Sequence, residues 1–168
     1  MHLSERLKGG LYGLLVGDAL GVPYEFRFAD DIPAWEDIEF EPPDGYRRAH
    51  DGVPVGTWSD DGAQALCLLA SLLDCGTLDV QDFANRMVNW WSDGYLAVDG
   101  RVFDIGIQTT DALMAIAQGA DATRAGGVLE SENGNGSLMR ALPLALFLRG
   151  SDAELVNAAE EQSSATHG

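Results

Sequence analysis

Apolar residues recur every three to four positions along most of the 168-residue chain, and no pair of segments alternates with the period of two that marks a half-buried strand. The pattern predicts an all-α fold. The first helix is expected over residues 3 to 19, with Gly9, Gly13, Gly17 and Gly21 at four-residue spacing along one stripe. Glycine lowers helix propensity, so the stripe predicts a close approach by another backbone. From 22 to 57 the periodicity is lost and Pro, Asp, Glu and Trp accumulate. That segment reads as a long loop with a short helical turn near Trp35, and long loops in compact domains often carry function.

A second helix is expected from Asp61 to Asp74, ahead of Gly76. A third starts at Asp79, whose spacing to Asp82 gives a weak capping box, and shows Phe83, Met87 and Trp90 on one face. The Gly-punctuated connection "SDGYLAVDGRVFDIG" leads to a helix from Asp104 to Gln118 that stops at Gly119. Residues 119 to 136 make a second long polar loop, which delivers the chain to "SLMRALPLALFLRG". There Ser137 is placed to cap a helix that Pro143 tightens or kinks. Ser151 and Glu154 form a capping box for a last helix to about Ala165. No repeat or linker divides the chain, so one domain over residues 1–168 is expected.

Composition narrows the partners. The formal charge is -17, from 27 acids against 10 bases spread along the whole chain. Nucleic acid and anionic membrane surfaces both require clustered Lys and Arg, so neither is an expected partner, whereas converging acids suit a divalent cation. The N-terminal "MHLSERLKGG" does not read as a secretory signal, and "GGLYGLLVGDALGVP" is short and interrupted by Asp18. Cys67 and Cys75 read as thiols of a cytoplasmic protein, not as a disulfide framework.

Against this background "GTWSDDGAQALCLL" stands out, because Asp60 and Asp61 place two like charges side by side at a helix start. One reading makes Ser59 or Asp60 the helix cap and sets the other acid against the helix dipole. The other makes a hydroxyl and two carboxylates converge on a hard cation. Asp18 closes the first helix at the end where the dipole disfavours an acid, and Glu25 follows in the loop. Asp104 has two readings as well, a helix cap or a carboxylate aimed into a cleft. In "ENGNGSLMR", Asn133, Gly134, Asn135 and Gly136 lead into a helix start able to offer backbone N–H groups to a phosphate. Arg140 reads either as a charged clamp or as a stem lying over apolar surface. His2 and His50 have no assignable partner, and a solvated side chain is the expectation for both and for His167, one residue from the end of the sequence. No Gly-x-Ser-x-Gly element, zinc spacing or P-loop is present.

Taken in order, "GLLVGDALGVPYEF", "TWSDDGAQALCLLASLL", "FDIGIQTTDAL", "NGNGSLMRALPLAL" and "SSATH" resemble the ADP-ribosylglycohydrolase family, of the dinitrogenase reductase-activating type, across nearly the whole chain. The resemblance implies a compact orthogonal multi-helix bundle with a binuclear Mg2+ or Mn2+ site. It implies a hydrolase that removes ADP-ribose from a modified protein or a small-molecule conjugate. By the same resemblance Ser59, Asp60 and Asp61 match metal ligands, and Glu25 and Asp104 match the catalytic carboxylates. Asn135, Gly136, Ser137, Met139, Arg140 and His167 match residues that hold ADP-ribose. The chemistry fits these types: cations orient vicinal ribose hydroxyls, one carboxylate positions water, and an acid near the leaving atom helps it depart.

Two departures stand out. Gly62 replaces the Thr usual after the two acids, and the chain ends at Gly168 before the Asp-x-Asp-Thr element that holds the family's second metal. Three expectations therefore stand side by side. The chain is a fragment of a longer enzyme, a half that self-associates or pairs with a complementing C-terminal chain, or a shortened homologue that binds ADP-ribose without hydrolysing it.

Overall fold

The computed structural model describes residues 2–132 and 134–168, which leaves Asn133 of the Asn/Gly-rich segment outside the described residues. The protein is all-α. Among the described residues β pairing is confined to an isolated bridge between Gly127 and His167, and no helix is long and apolar enough to cross a membrane. The chain divides into two compact units, Met1–Ser59 and Asp60–Gly168.

The first unit is built on α1 (Leu3–Gly21), two residues longer at its end than the pattern predicts. The predicted close approach along the glycine stripe does not occur, because a Cβ added at Gly9, Gly13, Gly17 or Gly21 would meet nothing within 4 Å among the described residues. After α1 the backbone forms 3-10 turns at Val22–Tyr24, Ala29–Asp31 and Trp35–Asp37, the last where a helical turn is expected. Tyr24 organises this loop. Its hydroxyl donates to the Glu39 carbonyl at 2.8 Å and accepts from the Glu39 N–H at 3.1 Å, while its ring packs on Tyr46.

The second unit holds α2 (Asp60–Cys75), α3 (Val80–Asp93), α4 (Ile107–Ala117), α5 (Gly136–Met139), α6 (Leu142–Phe147) and α7 (Asp152–Ser164). Helix α2 lies at its centre and packs against α3, α5 and α6. The core is Leu68 and Leu72 of α2, Phe83, Met87 and Trp90 of α3, Leu113 of α4 and Leu144 of α6, each at most 1% exposed. Helix α3 starts where predicted, with the Asp79 carboxylate accepting from the Asp82 N–H at 2.9 Å, and Gly94 ends it in the left-handed conformation. Helix α7 carries the full Ser151–Glu154 capping box.

Two predicted starts are corrected. Helix α4 begins at Ile107 with Gly106 as its cap, and Asp104 lies three residues outside in the left-handed region at φ +59°, which excludes it as the cap. The segment after residue 135 is not one helix kinked at Pro143. It is two short helices broken at Arg140 and Ala141, with Pro143 in the first turn of the second. Asn135, not Ser137, precedes the first of them, and its carbonyl accepts from both Leu138 and Met139.

Candidate functional site

In the first unit the candidate residues Ser59 and Glu25 each pair with a neighbouring side chain. Asp18 sits in the last turn of α1, and its carboxylate accepts from the Ser59 N–H at 3.0 Å and the Ser59 hydroxyl at 2.8 Å. Such charge-assisted bonds offset the unfavourable dipole at that helix end. A hydroxyl that spends its one proton on a carboxylate keeps its lone pairs for other partners. Ser59 is buried, at 3% exposure.

Glu25 follows the first 3-10 turn, half-buried, and its carboxylate lies 2.5 Å from His50 Nε2. His50 and Phe26 both adopt left-handed backbone, at φ +49° and +59°, and their rings meet edge to face at 5.5 Å. Two such non-glycine residues mark a loop whose shape is imposed by its surroundings. The expectation that His50 lacks a partner is therefore corrected. No spacing rule joins two residues 25 apart in an aperiodic loop, so nothing in the sequence pointed to the pair.

In the second unit a buried chain of polar side chains runs from the head of α2. Gln64 Nε2 donates to Asp60 Oδ2 at 3.1 Å, and Arg140 Nη1 donates to Gln64 Oε1 at 3.0 Å. Arg140 also donates through Nε to Gln162 Oε1 at 3.0 Å and through Nη2 to the Gln162 carbonyl at 3.1 Å. Gln162 Nε2 completes the chain by donating to the Ser137 carbonyl at 2.9 Å. The Arg140 guanidinium lies over the Phe83 ring, 5.1 Å from its centroid. Burial pushes the Arg140 pKa down to about 9, against the opposing pull of Cys67 and Asp60, and leaves it charged at neutral pH. Burial pushes the Cys67 thiol up to about 12, so it is inert.

Arg140 lies beneath the loop, and none of its side chain reaches solvent. Asp61, half-buried, follows Asp60 in the first turn of α2, where the positive end of the helix favours both acids.

The Asn/Gly-rich loop owes its glycines to His167. A Cβ at Gly136 would stand 2.7 Å from His167 Cε1 and 3.2 Å from Thr109 Oγ1, and one at Gly134 would stand 3.3 Å from His167 Nε2. At Gly136 a side chain would displace the ring, and at Gly134 it would crowd it. The ring is held from its other side by Thr166, whose hydroxyl lies 2.7 Å from Nδ1. Burial and the Arg140 charge together lower the His167 pKa from its usual value of 6.5. A groove of about 500 Å³ opens beside this loop, bordered by Ser137, Leu138, Ala141, Val156, Gln162 and His167. Asn135 is exposed, and Met139, the last residue of α5, is half-buried.

The structure thus joins Asp60 to Ser137 through Arg140, and Gly136 to His167. It ties Ser59 to Asp18 and Glu25 to His50. A profile of the ADP-ribosylglycohydrolase family matches residues 1–168. The chain belongs to that family.

The chain is 36% identical over 163 residues to an ADP-ribosylarginine hydrolase of Pseudomonas putida strain GB-1, an overlap of 97% of this chain and 42% of that protein. It is 30% identical over 169 residues to the ADP-ribosyl-dinitrogen reductase glycohydrolase of Rhodospirillum rubrum, covering 98% of this chain and 52% of that protein. With an ADP-ribosylhydrolase of Danio rerio the identity is 32% over 155 residues, 89% of this chain and 39% of that protein. The chain therefore spans about half the length of the curated relatives it matches, or somewhat less. The donor types at the start of α2 suit a hard divalent cation: a serine oxygen whose proton is engaged by Asp18, followed in the chain by two carboxylates.

Proposed function

We propose that this chain is the metal-binding and ADP-ribose-holding portion of a divalent-metal-dependent glycohydrolase, and that residues 1–168 are the N-terminal portion of one ADP-ribosylglycohydrolase-like domain. The substrate is an ADP-ribosylated protein or a small-molecule ADP-ribose conjugate. Two ADP-ribosylarginine hydrolases among its relatives, at 36% and 32% identity, favour an arginine acceptor. A cytoplasmic setting belongs to this reading, in keeping with two free thiols, Cys67 and Cys75.

The observation that carries the reading is Ser59. Its hydroxyl donates to Asp18, so what it offers elsewhere is lone pairs, the chemistry of a ligand to a cation. Ser59, Asp60 and Asp61 hold the Mg2+ or Mn2+. When bound, the metal supplies positive charge that holds and orients ribose hydroxyls.

The side chains do the rest. Asn135, Gly136, Ser137 and Met139 hold the ADP-ribose near its diphosphate and ribose, His167 supports that loop, and Arg140 sets it from beneath. One of Glu25 and Asp104 takes a proton from water as the water oxygen bonds to the anomeric carbon. The other stabilises or protonates the leaving atom as the glycosidic bond breaks.

Chromatographic assay of ADP-ribosylarginine incubated with the protein and Mn2+ tests this reading. Release of free ADP-ribose is expected, lost with chelator and in Asp60→Asn and Asp61→Asn. Release that persists undiminished in chelator contradicts it.

A further inference from the structure

The polar chain from Asp60 to Ser137 is unusual in its dryness. Asp60 is 4% exposed, Gln64 and Arg140 0%, and Gln162 2%. Water cannot replace a lost partner along it, so displacement at one end leaves an unsatisfied buried group, which is costly. Each amide in the chain is used at both ends. Gln64 gives its N–H to Asp60 and its oxygen to Arg140; Gln162 gives its N–H to the Ser137 carbonyl and its oxygen to Arg140. Arg140 has no acceptor atom, so the two amides have a single orientation that satisfies it. At the far end lies α5, four residues long, with little of its own to hold it.

We propose that Gln64, Arg140 and Gln162 are positioning residues that couple the metal ligand Asp60 to the ADP-ribose loop at Asn135–Met139, so that cation and ADP-ribose each tighten the binding of the other. This rests on the metal and ADP-ribose roles proposed above. Cation binding fixes the Asp60 carboxylate, which fixes the Gln64 amide, then the guanidinium fork, then Gln162 and the Ser137 carbonyl. A loop already set binds ADP-ribose without the ordering loss it otherwise carries. Thermodynamic reciprocity requires the same factor in the reverse direction.

Two isosteric substitutions break one end each while leaving Arg140 an acceptor. Gln64→Glu removes the N–H that reaches Asp60, and Gln162→Glu removes the N–H that reaches the Ser137 carbonyl. Gln118→Glu, at an exposed position, controls for added charge. The measurement is the Mn2+ dissociation constant by calorimetry on the full chain, without and with saturating ADP-ribose, alongside thermal unfolding of each variant. The ratio of the two constants is expected at roughly 5 to 150 in the unaltered protein and in Gln118→Glu, the range usual for coupled sites. It is expected to fall close to one in Gln64→Glu and in Gln162→Glu. Either variant alone decides the matter if the other fails to fold. A ratio retained in a folded Gln64→Glu or Gln162→Glu overturns the coupling, as does a ratio of one in the unaltered protein that binds both ligands. An unaltered protein that binds neither ligand overturns the proposed function and the coupling together.

Discussion

At the scale of single residues, the side chains with chemistry to offer are defined by what they bond. Ser59 donates its hydroxyl proton to Asp18, which leaves its oxygen lone pairs as what it offers the proposed cation. His167 is shaped by burial, by Arg140 and by Thr166, and the sign of its effect on stability follows. Its folded pKa lies below the ordinary 6.5, so the unfolded chain binds the proton more tightly than the folded one. The stability it contributes is fully present above about pH 6.5 and is lost as pH falls through the depressed folded value. Urea midpoints measured from pH 7.5 downward are expected to fall less steeply in His167→Gln than in the unaltered protein. Identical slopes would mean that His167 titrates alike in both states.

At the scale of elements, glycine positions divide into two kinds. Those of α1 meet no neighbour within 4 Å among the described residues, whereas Gly136 faces the His167 ring and the Thr109 hydroxyl. Gly13→Ala is therefore expected to stabilise by about 0.5–1 kcal/mol through helix propensity alone. Gly136→Ala is expected to destabilise by about 1–3 kcal/mol through overpacking. Denaturation midpoints moving in opposite directions would bear this out, and equal shifts would refute it. Local rules served well where the determinants are local. The Ser151–Glu154 box, the Asp79 cap and the Phe83, Met87 and Trp90 face were all readable within a few residues. The break between α5 and α6 was not, because its reason lies in Arg140, which turns inward to partners 22 and 76 residues away. For the same reason the sequence offered a clamp or a surface stem for Arg140, and neither matches a buried fork. Asp104 likewise carried the sign of a cap, yet its left-handed backbone leaves that role to Gly106.

At the scale of the whole molecule, the order of five motifs over the chain identified the family, while composition and periodicity reached no further than an acidic, all-α protein. The glycine stripe on α1 shows how little a pattern says about its own purpose, since no neighbour among the described residues fills it. The site residues fall into local groups, Ser59 with Asp18, Glu25 with His50, Asp60 with Arg140 and Gly136 with His167, each using contacts that spacing does not reveal. In the proposed function these groups serve a metal-dependent ADP-ribose site in a chain about half the length of its relatives. Isothermal titration of ADP-ribose into the protein, with Mn2+ and again with chelator, tests it most directly. Binding in Mn2+ is expected to weaken by roughly tenfold or more in chelator and in Asp60→Asn and Asp61→Asn, because carboxylate ligands set cation affinity. Binding of equal strength with and without the metal, or none in either condition, would contradict it.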